Sequence, residues 1–177
     1  MSKSGLTKKI TNYLSSLTKE ELINLILKFA PQSFFDAIES QLANQSEAIE
    51  IFNRVQEAIG AIFSDDTLLY SPKAFEDQLF GQFNKLSGLW ARLPLEIGDL
   101  ILTTIEDIEE AFEEGYLYIE NYDKEDEFFE SEDINNYIIR FVRSLPNDMQ
   151  AGYLKRLMNV LEQSGYSTFM SVQEALS

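Results

Sequence analysis

The sequence predicts an all-α protein: a single bundle or stack of helical hairpins with about seven to nine helices and one acidic loop. Three observations carry this expectation. Apolar residues recur at helical spacing along nearly the whole chain, and alternating strand-like runs are nearly absent. Helix starts are marked by capping residues, and connections of roughly two to eight residues favour antiparallel neighbours. The length of 177 residues, with 45% apolar and 12% aromatic content, suits one domain over residues 1–177.

The elements follow in order. A first helix over Leu6–Ser15 carries Leu6, Ile10, Tyr13 and Leu14 on one side. Thr18 and Glu21 have capping-box spacing and open a second, with Leu22, Leu25, Ile26 and Phe29 as its stripe and Pro31 as its stop. A short third helix, Ser33–Ala43, carries Phe34, Phe35, Ile38 and Leu42. Asn44 and Glu47 form a second capping box before a helix reaching Phe63, whose apolar side reads Ile49, Phe52, Val55, Ile59 and Ile62. Ser71-Pro72 reads as an N-cap with proline at the first helical position, and the helix runs to Arg92 with Phe75, Leu79, Phe83, Leu86 and Trp90 inward.

Along that fifth helix Ala74, Gly81 and Gly88 recur every seven residues. Each glycine costs about 1 kcal/mol against alanine in a helix interior, and close approach of a neighbouring helix is the expected compensation. Pro94 starts the sixth helix and Gly115 caps its end. Residues 116–130 have no clean period and read as a loop. Ser131 caps a seventh helix with Ile134, Ile138, Phe141 and Leu145 in register, acids at its start, and Arg140 and Arg143 near its end, as the macrodipole favours. The eighth spans Asp148–Gln163 with Met149, Tyr153, Leu157 and Val160 inward, and a short ninth covers Thr168–Leu176.

Cysteine and histidine are absent. Disulfides, thiol nucleophiles, Cys/His zinc sites and imidazole catalysis are thereby excluded. The carboxylates Asp99, Glu106, Glu110 and Glu113 share one arc of the sixth helix, but di-metal helical bundles need Glu-x-x-His pairs. Asp123–Ile134 fails as an EF-hand, with Phe128 where glycine is required and Ile134 where glutamate is. Ser16-x-x-Lys19 lacks its companion motifs, and no glycine pattern builds a phosphate loop. No cofactor, no metal and no enzymatic activity are expected. No signal segment or membrane-spanning run is apparent, so a cytoplasmic protein without membrane contact is the expectation.

Charge is segregated. Between Glu96 and Asp133, 16 acids stand against the single base Lys124, a balance of -15 within a chain total of -16. Direct nucleic-acid binding is disfavoured by this balance, since phosphate affinity comes from basic residues. The acids are interleaved with aromatics: Tyr116, Tyr118, Tyr122, Phe128 and Phe129 lie among Glu113, Glu114, Glu120, Asp123, Glu125, Asp126, Glu127 and Glu130. Acids alone form a solvated face. Acids with aromatics provide contact area together with steering.

The stretch Leu17-Thr18-Lys19-Glu20-Glu21-Leu22-Ile23 resembles the opening of helical regions in bacterial proteins associated with SWIM-type zinc fingers. Phe75-Glu76 with Leu86, Leu89 and Leu93, then Ile105–Glu114 before an acid-rich turn, are also similar, over about residues 17–170. The zinc motif itself is missing, so the resemblance implies a helical-repeat-like interaction scaffold and no zinc or nucleic-acid role. The expected function is a protein–protein interaction module, a regulator or accessory subunit, that binds a basic partner surface. Its partner-binding residues would be Glu106, Glu110, Glu113, Tyr118, Tyr122, Asp123, Glu125, Asp126, Glu127, Phe128, Phe129 and Glu130. The alternative is an acidic mimic of nucleic acid that inhibits a DNA- or RNA-binding protein.

Overall fold

The computed structural model describes residues 3–119, 127–163 and 167–176. Ten α-helices lie among them: α1 (Lys3–Ser16), α2 (Lys19–Phe29), α3 (Gln32–Leu42), α4 (Gln45–Phe63), α5 (Asp66–Leu69), α6 (Pro72–Leu86), α7 (Pro94–Glu113), α8 (Glu132–Ser144), α9 (Asn147–Gln163) and α10 (Met170–Leu176). The architecture is all-α, as expected from the periodicity. Two-residue strands β1 (Tyr118–Ile119) and β2 (Glu127–Phe128) pair antiparallel inside the segment read as loop. No helix among the described residues is long and apolar enough to cross a membrane.

The chain divides into two compact units, Met1–Phe35 and Asp36–Ser177. In the first, the Thr18–Glu21 capping box forms as read: Thr18 Oγ1 accepts the Glu21 N–H, and Glu21 Oε2 accepts the Thr18 N–H at 2.8 Å. None of its described side chains is buried; Leu22, Leu25 and Ile26 are half-buried, whereas Ile10, Tyr13, Leu27 and Phe29 are exposed. Its formal charge is +3, from five lysines and two glutamates.

The second unit holds the core. Asn44 caps α4 by accepting the N–H groups of Ser46 and Glu47, and Glu47 returns the bond to the Asn44 N–H at 2.7 Å. The buried face of α4 is Ala48, Ile51, Phe52, Val55, Ile59 and Ile62, set against Phe75, Leu79 and Phe83 of α6. Ile49, expected on this stripe, is exposed, because it lies about 100° around the helix from Ala48, which takes the place on the buried arc. α7 buries Ile97, Ile101, Ile105 and Ile108, and α8 buries Ile134, Tyr137, Ile138 and Phe141. Trp90 Nε1 donates to the Tyr137 hydroxyl at 2.8 Å, satisfying both polar atoms where the rings meet.

Several local expectations are corrected. α6 ends at Leu86, and Ser87–Leu89 tightens into a 3-10 turn short of Arg92. Of the seven-residue repeat only Gly88 makes a close approach. A Cβ there would lie 2.7 Å from the Gln41 N and 2.8 Å from the Ser40 Cβ, while Gly81 faces open space and Ala74 is exposed. Through that contact Ser40 Oγ donates to the Lys85 carbonyl, and Arg92 donates to the carbonyls of Ser40 and Gln41 at 2.9 and 2.7 Å. The α3 end is therefore docked by polar bonds rather than by its apolar stripe, and Ile38 and Leu42 are exposed. Ser71 and Ser131 make no side-chain capping bond. The Asp65-capped α5 was not legible, being a single turn.

Candidate functional site

The acidic segment begins on α7. Its buried isoleucines set the helix rotation, so Glu106, Glu110 and Glu113 all emerge exposed on the opposite side. Asp107 between them is half-buried, and burial, reinforced by Glu110 and Glu106, raises its carboxyl above the ordinary range. Asp99, further back, is engaged by Arg156 Nη2 at 2.7 Å. Among the described residues no group of three or more carboxylates is placed to hold a metal ion.

The helix then closes with a Schellman arrangement. The Gly115 N–H reaches the Phe112 carbonyl at 3.0 Å, and the Tyr116 N–H reaches the Ala111 carbonyl at 2.8 Å, with Gly115 at φ +88°. Leu117 follows, fully buried and left-handed at φ +59°. Left-handed backbone costs a branched residue about 1–2 kcal/mol, so it needs support. Here the Leu117 N–H donates to the Leu69 carbonyl at 3.0 Å, and its carbonyl accepts the Phe129 N–H at 3.1 Å.

That second bond fixes the hairpin's facing. A Phe129-to-Leu117 bond brackets Tyr118 and Phe128 as a non-hydrogen-bonded pair, the geometry in which opposed side chains stand closest and share a face. Alternation does the rest. Leu117 and Phe129 point into the core, Phe129 at 4% exposure against Phe75 and Phe112, while Tyr118 and Phe128 point outward at 49% and 55%. Phe129, expected as a contact residue, is thus a core ring.

A second aromatic pair lies alongside. Tyr70, at the end of α5, meets Tyr116 edge-on with ring centroids 5.1 Å apart. Neighbouring Tyr70, then burial and the carboxylates of Asp66 and Glu114, raise the Tyr116 hydroxyl above the ordinary tyrosine range. The Tyr116 phenol therefore keeps its proton at physiological pH.

Of the predicted residues, the structure brings Tyr118 and Phe128 together and leaves Glu106, Glu110 and Glu113 exposed on the helix leading to them. Glu130 is exposed on the far flank beside Glu76, whose carboxyl is raised by burial and then by the charges of Glu130 and Asp133. Glu127 contributes backbone pairing to Ile119. Tyr122, Asp123, Glu125 and Asp126 lie outside the described residues. Tyr70 and Asp66 were missed by sequence reasoning, because they reach this surface only through the Leu69–Leu117 bond, which joins positions far apart in sequence.

The hairpin's exit is also left-handed. Ser131 at φ +58° is buried, and its Oγ donates to the Thr168 carbonyl at 2.7 Å. Asn135, one turn on, donates to Ser131 Oγ, the Thr168 carbonyl and Ser171 Oγ. The arrangement is a rigid root carrying outward aromatic faces beside carboxylates. It offers contact area and negative field. No protein-family model, curated protein or solved structure matches this chain.

Proposed function

We propose that the chain is a non-enzymatic, cytoplasmic protein–protein interaction module, a regulator or accessory subunit, that binds a basic partner surface through its acidic–aromatic hairpin. The observation that carries this reading is the outward pairing of Tyr118 and Phe128, two large rings held half in water by a root that tolerates two left-handed residues. Folding alone gains nothing from that exposure, and backbone strain such as that of the buried Leu117 and Ser131 gathers at binding and switching sites. Interface hot spots are aromatic, and surrounding charge sets the rate of encounter. The carboxylates of α7 and of residues 123–127 supply that charge. The helical-scaffold resemblance agrees with the same role.

The test is kinetic, on a partner captured from the native host. Phe128→Ala should speed dissociation with little change in association. Joint replacement of Glu125, Asp126 and Glu127 by serine should slow association, on the scale of ~10-fold or more at low salt, and flatten its salt dependence. Unchanged rates in both variants would place the interface on another side of the unit. Displacement of the partner by duplex DNA would instead identify the chain as a nucleic-acid mimic, a role that needs carboxylates spaced like phosphates over a broad surface.

A further inference from the structure

Given a basic partner, as proposed above, the chemistry of the hairpin surface decides which basic side chain it takes. Steering by carboxylates does not distinguish lysine from arginine, since both carry one positive charge. The exposed rings do. Three of them, Tyr70, Tyr118 and Phe128, are gathered with the half-buried Tyr116 by the Leu69–Leu117 and Leu117–Phe129 backbone bonds. Asp66 opens α5 four residues before Tyr70, Glu114 caps α7 two residues before Tyr116, and both carboxylates are exposed. A guanidinium is planar and weakly hydrated, so it stacks on a ring face while its edge N–H groups reach a carboxylate. An ammonium is compact and strongly hydrated, and must shed water to do the same.

We propose that this surface is an arginine-selective docking site for an extended, arginine-bearing segment of a partner protein, with guanidinium groups stacked on the exposed aromatic pairs and held at their edges by Asp66 and Glu114. Charge complementarity names the occupant: residues 36–177 carry 28 acids against nine bases. The rings then specify the cation.

The experiment uses the full chain and two fluorescent synthetic peptides of equal length and charge, one alternating arginine with glycine and the other lysine with glycine. Fluorescence anisotropy at near-physiological salt should show the arginine peptide binding roughly three- to tenfold more tightly. The Tyr118→Ala/Phe128→Ala double variant should abolish that preference while retaining the weaker, salt-sensitive binding of both peptides. Phe128→Tyr should keep it, and so confirm that a ring and not a particular residue is needed. Tyr118→Gln, which preserves a long side chain at an exposed position, serves if the double variant melts early. Equal affinities for the two peptides, or a preference that survives loss of both rings, overturn arginine selection and leave the reading of a basic partner standing. Failure of the chain to bind either peptide overturns both.

Discussion

Gly98 shows how a single missing atom shapes the interior. A Cβ at this position of α7 would lie 2.7 Å from Tyr153 Cε2, and the buried tyrosine has no room to retreat, because its hydroxyl donates to the Gly98 carbonyl at 3.1 Å and its ring packs on Phe141. Gly98→Ala should destabilise the protein by about 1–3 kcal/mol, the range for overpacking a filled core, read as a lowered urea midpoint with unchanged slope. Glu76 gives a pH-dependent counterpart. Its folded carboxyl titrates above the unfolded value of 4.5, so between those two points the folded state holds a proton that the unfolded state has released. Stability therefore falls as pH rises through that window, and the cost is complete at neutral pH. Glu76→Gln should stabilise the protein at pH 7 by no more than about 1 kcal/mol for this half-buried group, read as a raised melting temperature. The advantage should vanish when both proteins are melted below pH 4.5.

At the scale of elements, α4 is the helix on which the second unit is built, and its start rests on one side chain. Asn44 Oδ1 accepts two backbone N–H groups, at 3.0 Å from Ser46 and 3.1 Å from Glu47. Asn44→Ala should cost about 1 kcal/mol, and Asn44→Ser should recover most of it, as measured by chemical denaturation. The hairpin depends on tertiary support instead. Two paired residues per strand are far too few to persist alone, and the element exists because Leu117, Phe129 and Ser131 are buried at its root. The C-terminal α10 is held by a comparable device. Asn135 reaches Thr168 and Ser171, Phe169 and Val172 are buried, and Arg143 donates to the Ala175 carbonyl at 3.3 Å.

Across the whole molecule the governing quantity is charge. A net -16, with -15 of it between Glu96 and Asp133, sets like charges against one another in the folded state. Glu106 and Glu110, four residues apart on α7, are one such pair, each worth a few tenths of a kcal/mol against the helix (~0.2–0.5). Screening should relieve this crowding, so the melting temperature should rise as sodium chloride is increased from about 10 mM to 150 mM, where the Debye length falls from ~30 to ~8 Å. A flat or falling response in calorimetry would mean that the carboxylates are compensated by pairing. The same screening that stabilises the fold should weaken partner binding, and the opposed salt responses separate the two roles of the acidic segment.

The sequence by itself determined the helical class, both working capping boxes, the Gly115 stop and the inward faces of α6 and α8, because each rests on interactions within a few residues of chain. The segregation of acids and their mixing with aromatics were legible for the same reason. Only the tertiary structure decided which of those aromatics faces water. Phe128 and Phe129 are neighbours of the same type, and one is a surface ring while the other is core. That choice follows from strand alternation, whose register is set by the Phe129-to-Leu117 bond across positions the periodicity cannot link. Tyr70 joined the surface through a backbone bond of the same long-range kind, and Ser131 lost its expected capping role because its hydroxyl found the Thr168 carbonyl. Local hydrogen bonds and spacing are written along the chain; contacts between distant segments are settled only when the core brings them together.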